Sequence, residues 1–300
     1  MSDLLVVGSL AYDSIETPQS QTARTLGGSA NYFSLAASMY SKVRVVGVVG
    51  EDYADIDLKL LQDRSVCTLG LQKKAGRTFH WSGSYKEDMN EAITLATELN
   101  VFEHFNPELP ETYTNTPYVF LANIDPELQL KVLDQIKNPK FVGSDTMNFW
   151  IKSKPEVLKK VLARVDVLLI NEGESKLLTG KPNAIAAAQE ILKMGPKAVV
   201  VKRGEYGFVL NTQEGLHILP AFPIADVVDP TGAGDTFAGA FFGFLSKRNQ
   251  KIDNEALKQA CVQGCLLASY TVQRVGVAAL VGLNWAEVES RFNQYQGIIS

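Results

Sequence analysis

Hydrophobic positions along the chain fall into short runs separated by stretches of helical spacing. β-Branched or apolar runs stand at 4–7, 43–49, 118–121, 140–142, 165–170, 198–201 and 208–210. Between many of them, apolar residues recur every three to four positions, over 29–40, 54–63, 126–137, 155–163 and 184–194. This strand–helix–strand alternation predicts an α/β fold with a mostly parallel sheet and helices on its faces. The unbroken apolar character of 167–170 and 199–201 predicts strands buried on both sides. From Thr231 onward the pattern becomes helical, over 236–247, 255–270 and 285–294. No repeat or low-complexity linker divides the chain, so one domain is expected over 1–300.

The stretch 69–116 breaks the alternation. It is polar, aromatic and weakly alternating, with Thr78-Phe79-His80-Trp81 and Tyr85 clustered, and Asn106-Pro107 and Leu109-Pro110 punctuating it as loop. Two readings are open: a small β-rich lid that shares a strand with 12–18, or a decorated surface loop.

Composition narrows the function. The 29 basic and 33 acidic residues leave a net charge of −4, and 46% of the chain is apolar. Ample core material is present. A general basic field for nucleic acid is absent, so no nucleic-acid partner is expected. No apolar run is long enough to span a membrane, and the start of the chain has neither the cationic lead nor the apolar core of a signal peptide. Cys67, Cys261 and Cys265 are too few for a disulfide framework, which points to a reducing, cytoplasmic setting. Cys261 and Cys265, four apart in a helical stretch, read as core residues. His80, His104 and His217 are too scattered for a zinc site.

The strongest local signal is Asp229-Pro230-Thr231-Gly232-Ala233-Gly234-Asp235-Thr236. Bare backbone at Gly232, Ala233 and Gly234 lets successive N–H groups converge where a helix begins, which suits a phosphoryl group. Asp235 would stand beside that point, able to take a proton from an attacking hydroxyl. Plain helix capping would explain the aspartate but does not ask for Gly-Ala-Gly before it. A second glycine pair, Leu26-Gly27-Gly28-Ser29-Ala30-Asn31, also precedes a helix. There Asn31 can offer a donor and an acceptor to hydroxyls, or the segment is a tight turn with Ser29 as helix cap.

Polar residues at the carboxyl ends of buried strands are placed where such sheets bind ligands. Asn171 and Glu174 follow one strand and could hold the waters around magnesium, yet the same spacing is a helix capping box. Lys202, Gly204 and Gly207 follow another, as a hairpin or a loop flanking nucleotide. Asp13 and Asp145 end two more, with a surface turn as the alternative for each. A Gly-x4-Gly-Lys-Ser/Thr phosphate loop, a Gly-x-Gly-x-x-Gly fingerprint and a Gly-x-Ser-x-Gly elbow are all missing from the sequence.

Together these segments resemble the PfkB (ribokinase-like) family of carbohydrate and nucleoside kinases. Gly27-Gly28-Ser29-Ala30-Asn31 is similar to the family's amino-terminal motif and Asp229 to Thr236 to its carboxyl-terminal one. The resemblance implies a three-layer α/β/α sandwich with a small β lid, formed by 12–26 and 69–116, that closes over substrate. It implies an ATP- and magnesium-dependent kinase acting on a hydroxyl, typically a hydroxymethyl, of a sugar or nucleoside. Asp235 would be the base, and the amides of Gly232, Ala233 and Gly234 the anion hole. Asp13, Gly28, Asn31 and Asp145 would contact substrate hydroxyls. Asn171 and Glu174 would organise magnesium and phosphates, with Lys202, Gly204 and Gly207 beside the nucleotide. Asp229 falls where some members bind a monovalent cation, K+ in particular, and the exposed lid face offers a surface for a homodimer. One departure is Lys202, at a position where many members carry threonine. Asp145-Thr146-Met147-Asn148 is only loosely similar to the acidic segment of some sugar-acid kinases. The lid aromatics His80, Trp81 and Tyr85 suit either a base or a sugar's apolar face. Other classes that remain open are a non-catalytic nucleotide- or sugar-binding regulator and a dinucleotide oxidoreductase.

Overall fold

A computed structural model describes residues 3–86, 89 and 92–299. In chain order its first half contains β1 (Asp3–Val7), β2 (Ala11–Glu16), β3 (Gln21–Gly27), α1 (Ser29–Ser38), β4 (Lys42–Gly50), α2 (Asp55–Asp63), β5 (Val66–Lys74), β6 (Phe79–Tyr85), β7 (Ala92–Glu98), β8 (Tyr118–Leu121) and α3 (Pro126–Gln135). Then come β9 (Phe141–Ser144), α4 (Asn148–Ser153), α5 (Pro155–Leu162), β10 (Val167–Asn171), α6 (Glu172–Thr179), α7 (Ala184–Leu192), β11 (Ala198–Lys202), β12 (Phe208–Thr212) and β13 (Gly215–Leu219). The chain ends in α8 (Ala233–Arg248), α9 (Asn254–Thr271), α10 (Ala278–Val281) and α11 (Trp285–Ile299).

The large sheet has nine strands among the described residues, in the order β13-β12-β11-β10-β9-β8-β1-β4-β5. From β11 to β5 every neighbouring pair is parallel, while β12 and β13 close one side as antiparallel hairpins. Side chains alternate between the two faces of the sheet, because successive residues of a strand point to opposite sides. Leu4, Val6, Val45, Phe120, Phe141 and Leu169 join Phe33 of α1 and Phe241 and Phe242 of α8. Leu5, Val7, Val46, Val119 and Leu121 pack instead with Val132 of α3 and Val161 of α5. The result is helix, sheet, helix in three layers.

The expected excursion over 69–116 divides into parts. β5 is an edge strand of the large sheet, paired with β4, and its register shift leaves Cys67 and Leu69 exposed beside Lys73 and Lys74, so no clean alternation marks it. The polypeptide of 100–113 returns beneath the same sheet, burying Phe105 and Tyr113 in the second core. Only β6 and β7 leave it, joining β2 and β3 in a separate sheet of order β3-β2-β6-β7. The boundaries 12–26 and 69–116 therefore shift to 11–27 and 79–98. Helices α4 and α6 and edge strand β13, absent from the pattern reading, are short or one-sided.

Helices α1 and α8 lie against each other along glycines. A Cβ added at Gly239 would stand 2.3 Å from the Phe33 carbonyl oxygen, and one at Gly243 3.0 Å from the Tyr40 ring. Gly239→Val should therefore lower stability by about 1–3 kcal/mol or more, since the obstacle is backbone and cannot rotate away. An unchanged melting temperature would show that the helix pair tolerates separation.

Candidate active site

Both helices of that pair begin at a glycine with a positive φ. Gly28, before α1, has φ 88°, and a Cβ there would lie 2.7 Å from the Ser9 carbonyl and the Ala11 amide. Gly232, before α8, has φ 75° and rests on the face of Tyr32, whose ring atoms would meet a Cβ at 2.4 Å. Neither position admits a side chain without moving the chain around it. Ser29 does not cap α1: Gly28 is the capping residue, and the Ser29 hydroxyl bonds to Ser9.

The segment 229–235 is held from below. Asp229, fully buried, accepts the Thr231 amide on one carboxylate oxygen and the Gly276 amide on the other, each at 2.9 Å. It tethers the glycine turn to the loop after α9. The Ala233 amide donates to Pro230 O (3.2 Å) inside the turn. Asp235 follows in the first turn of α8, half-buried at the helix mouth.

Carboxylates crowd around Asp235 from two sides. On one side is Asp13 of β2, 4% exposed and pressed on Gly27, where a Cβ would come within 1.9 Å of its carboxylate. Burial, then the charges of Asp229 and Asp235, push the Asp13 carboxyl up to about 8, although the Gly28 amide pulls it down. On the other side Lys202, at the end of β11, donates to Asp145 Oδ2 at 3.1 Å, with side chains 15% and 8% exposed. Burial alone would lower the Lys202 ammonium, but the charges of Asp145, Glu174 and Asp235 outweigh it and hold it above its ordinary value. Asp235 itself is raised to about 7 by burial and then by Asp145, against the pull of Lys202. Glu174 is raised to about 7 by burial first and Asp145 next. Asp235 is the member common to both groups.

Asn171 and Glu174 form the capping box of α6: Glu174 N donates to Asn171 Oδ1 (2.8 Å) and Asn171 N to Glu174 Oε2 (3.0 Å). Asn31, fully buried, donates to Gly27 O (2.6 Å) and accepts from the Tyr53 hydroxyl (3.2 Å). Gly204 and Gly207 close the β11–β12 turn next to Lys202, with Arg203 N donating to Gly207 O. Of the aromatics of β6, His80 pairs with Ser14 and Trp81 with Thr94 inside the small sheet. Tyr85 alone reaches across: Thr231 Oγ1 donates to its hydroxyl at 3.1 Å. Neither this bond nor the Tyr32 platform under Gly232 left a trace in the sequence pattern, because each joins residues far apart in the chain. A separate groove of about 540 Å³, lined by Tyr12, Arg24, Asp57 and Val275 among others, includes none of the carboxylates around Asp235.

A parallel α/β sandwich with a glycine-lined helix mouth, a carboxylate beside it and a lysine over it is the arrangement of a phosphotransferase. The pfkB family carbohydrate kinase model matches residues 1–281, and the chain belongs to that family. It is thus a kinase for sugars or nucleosides. It is 31% identical over 255 residues to the cytidine kinase of Thermococcus kodakarensis, covering 82% of this chain and 90% of that one. The aminoimidazole riboside kinase of Salmonella enterica, solved with aminoimidazole riboside and an ATP analogue, superposes with a TM-score of 0.79 at 21% identity, covering 97% of this chain and 100% of that one. A putative ribokinase II of E. coli, solved with ATP and Mg2+, gives a TM-score of 0.79 at 20% identity, covering 98% and 100%. At these identities the two structures bear on the fold, which is ribokinase-like. No described helix is long and apolar enough to cross a membrane.

The raised carboxyls predict how stability depends on pH. Between the ordinary carboxylate value and their native values, Asp13, Asp235 and Glu174 hold protons that the unfolded chain has released, so stability falls as pH rises through that window. Urea midpoints of the ligand-free protein should be lower at pH 8 than at pH 5.5, and Asp235→Asn should flatten the slope. A midpoint that rises over that range would contradict these protonation states.

Proposed function

We propose that the enzyme transfers the γ-phosphoryl group of ATP to a hydroxymethyl group of a ribose-like acceptor, with Asp235 as general base. The observation that carries this reading is the Asp235 carboxyl, poised near neutrality at the mouth of α8 and flanked by the Gly232 and Gly234 backbone. The acceptor O–H gives its proton to Asp235 while its oxygen bonds to the γ-phosphorus. The bond from that phosphorus to the β–γ bridging oxygen breaks, ADP leaves with the electron pair, and a phosphomonoester is formed. Catalysis of this kind is positioning and charge stabilisation. Asp13, Gly28 and Asn31 would orient the acceptor, and the Gly232 and Gly234 amides would receive the developing charge, the Ala233 amide being held by Pro230 O. Similarity to a cytidine kinase over most of both chains supports nucleosides among the acceptors.

Magnesium would supply neutralisation of the phosphate oxygens. The donor set fits it: Glu174 and Asp145 offer only hard oxygen, and among the described residues no group of acidic, His or Cys side chains could hold a metal alone. The ion would then enter with the phosphates. Asp229 spends both carboxylate oxygens on amides, so its arrangement reads as a tether and no step is assigned to a monovalent cation. ATP use with Cys67, Cys261 and Cys265 all free fits the cytoplasm. The β6–β7 part of the small sheet would act as the lid, and its exposed Ile93 and Leu95 on β7 as the face through which two copies pair.

A coupled ADP-release screen over pentoses, hexoses, sugar acids and nucleosides tests the assignment. Asp235→Asn should keep ATP affinity and lower turnover by about 10²–10⁴. Near-normal turnover would remove Asp235 as the base, and tight acceptor binding without ADP release from the wild type would point to a non-catalytic binder.

The lid reading has its own test. Tyr85→Phe should lower kcat/KM for the acceptor by about 3- to 10-fold, the worth of one neutral hydrogen bond, at unchanged ATP affinity. Unaltered acceptor kinetics would separate Tyr85 from closure.

A further inference from the structure

The ring of Tyr32 supports Gly232, but its hydroxyl does no such work. Tyr32 is 1% exposed, and its Oη has no hydrogen-bond partner among the described residues. A buried phenol without a partner costs stability, and phenylalanine would fill the same ring space without that cost. Nor does the hydroxyl lie in an apolar core, since Asp13, Asp229, Asp235 and the Tyr85 phenol all act on it. Burial first, and then those groups, raise the Tyr32 phenol well above its ordinary value, so it stays a proton donor. The groups around it are already committed. Asp13 takes the Gly28 amide, Asp229 spends both oxygens on amides, and Tyr85 accepts from Thr231. In the same helix start, Ser29 is bonded to Ser9, and Asn31 gives an N–H to Gly27 O and takes the Tyr53 hydroxyl on its carbonyl.

We propose that the Tyr32 hydroxyl determines acceptor specificity by donating a hydrogen bond to a second hydroxyl of the acceptor, next to the hydroxymethyl that is phosphorylated. On a ribofuranoside that group is the 3′-hydroxyl. The inference rests on the kinase reading for the identity of its ligand. A donor placed on the attacking oxygen would hold back the electron pair that must reach phosphorus, so the phenol serves the neighbouring oxygen instead. Its ring lies in the first turn of α1 and against Gly232, where a Cβ would meet it at 2.4 Å, so the donor cannot swing out to water. An acceptor without the matching oxygen would leave the phenol unpaired, which is how a site built around a hydroxyl rejects a deoxy analogue.

The probes are cytidine and adenosine, each with its 2′-deoxy and 3′-deoxy forms, titrated calorimetrically and assayed for ADP release with the wild type and Tyr32→Phe. The variant keeps the ring under Gly232 and removes only the hydroxyl. Its melting temperature without ligand should equal or exceed that of the wild type, a result that a hydroxyl serving the fold would not give. The wild type should bind the better riboside about 10-fold or more tightly than its 3′-deoxy form. Tyr32→Phe should weaken that riboside and its 2′-deoxy form by about 3- to 10-fold, with the 3′-deoxy form and ATP unchanged. An equal loss on all forms, a loss that follows the 2′-hydroxyl, or a lower melting temperature would overturn the proposal. So would a wild type that binds neither riboside. Riboside binding without ADP release would overturn the kinase reading instead, with the Tyr32 contact still decided by the titrations.

Discussion

The seam between α1 and α8 sets every distance that matters in this molecule. Gly232, Gly239 and Gly243 present bare backbone in sequence to Tyr32, Phe33, Ala37 and Tyr40, so the two helices approach until backbone meets ring and carbonyl. Each helix starts at a positive-φ glycine, and both starts fall at the carboxyl end of the parallel strands. The turn at Gly28 and the turn at Gly232 are thereby brought near each other, with Asp145 after β9 and Glu174 in the first turn of α6 close enough to act on Asp235 or be acted on by it. A side chain inserted anywhere along that seam would move one turn relative to the other. In a reaction that works by positioning, that displacement is a catalytic injury before it is a stability one.

Gathering Asp13, Asp145, Glu174, Asp229 and Asp235 around one cleft would be prohibitive if all were ionised and unpartnered. The fold handles them in different ways. Asp229 is satisfied by two amides, Asp145 is matched by Lys202, and Asp13 is buried so deeply that it keeps its proton near neutral pH. Asp235 and Glu174 are both left with values near neutrality, and of the two only Asp235 is half-buried at the mouth of α8. Position separates these two: Glu174 holds the start of α6 by accepting the Asn171 amide, while Asp235 stands beside the glycine turn.

Much of this was legible in the amino-acid sequence. The alternation of buried strands with helical segments carries the sandwich, and Asp229 to Asp235 announces itself because capping needs no Gly-Ala-Gly. The misplaced pieces share a physical cause. β5 has a register shift and leaves Leu69 exposed while burying Val66, so its apolar residues do not alternate cleanly. Asn171 and Glu174 form a capping box, and their spacing alone cannot separate that role from a nucleotide motif. Lys202 with Asp145, Tyr85 with Thr231 and Tyr32 under Gly232 are meetings of residues 57, 146 and 200 positions apart. No local pattern encodes a contact that only the closed sheet creates.

That last class of contact bears on how water is kept from the phosphoryl group. If the small sheet covered only the acceptor, an empty acceptor site would leave activated nucleotide open to hydrolysis. Here Tyr85 ends β6 on the hydroxyl of Thr231, two residues after Asp229 and one before Gly232. β6 is thus bonded to the turn that would hold the phosphate. Asp13, on the strand adjacent to β6, reaches the same point from below through the Gly27–Gly28 turn. On the proposed reading, an acceptor seated against Asp13 and β6 would bear on the bond that ties β6 to the glycine turn, which would couple the phosphate geometry to the presence of the attacking hydroxyl.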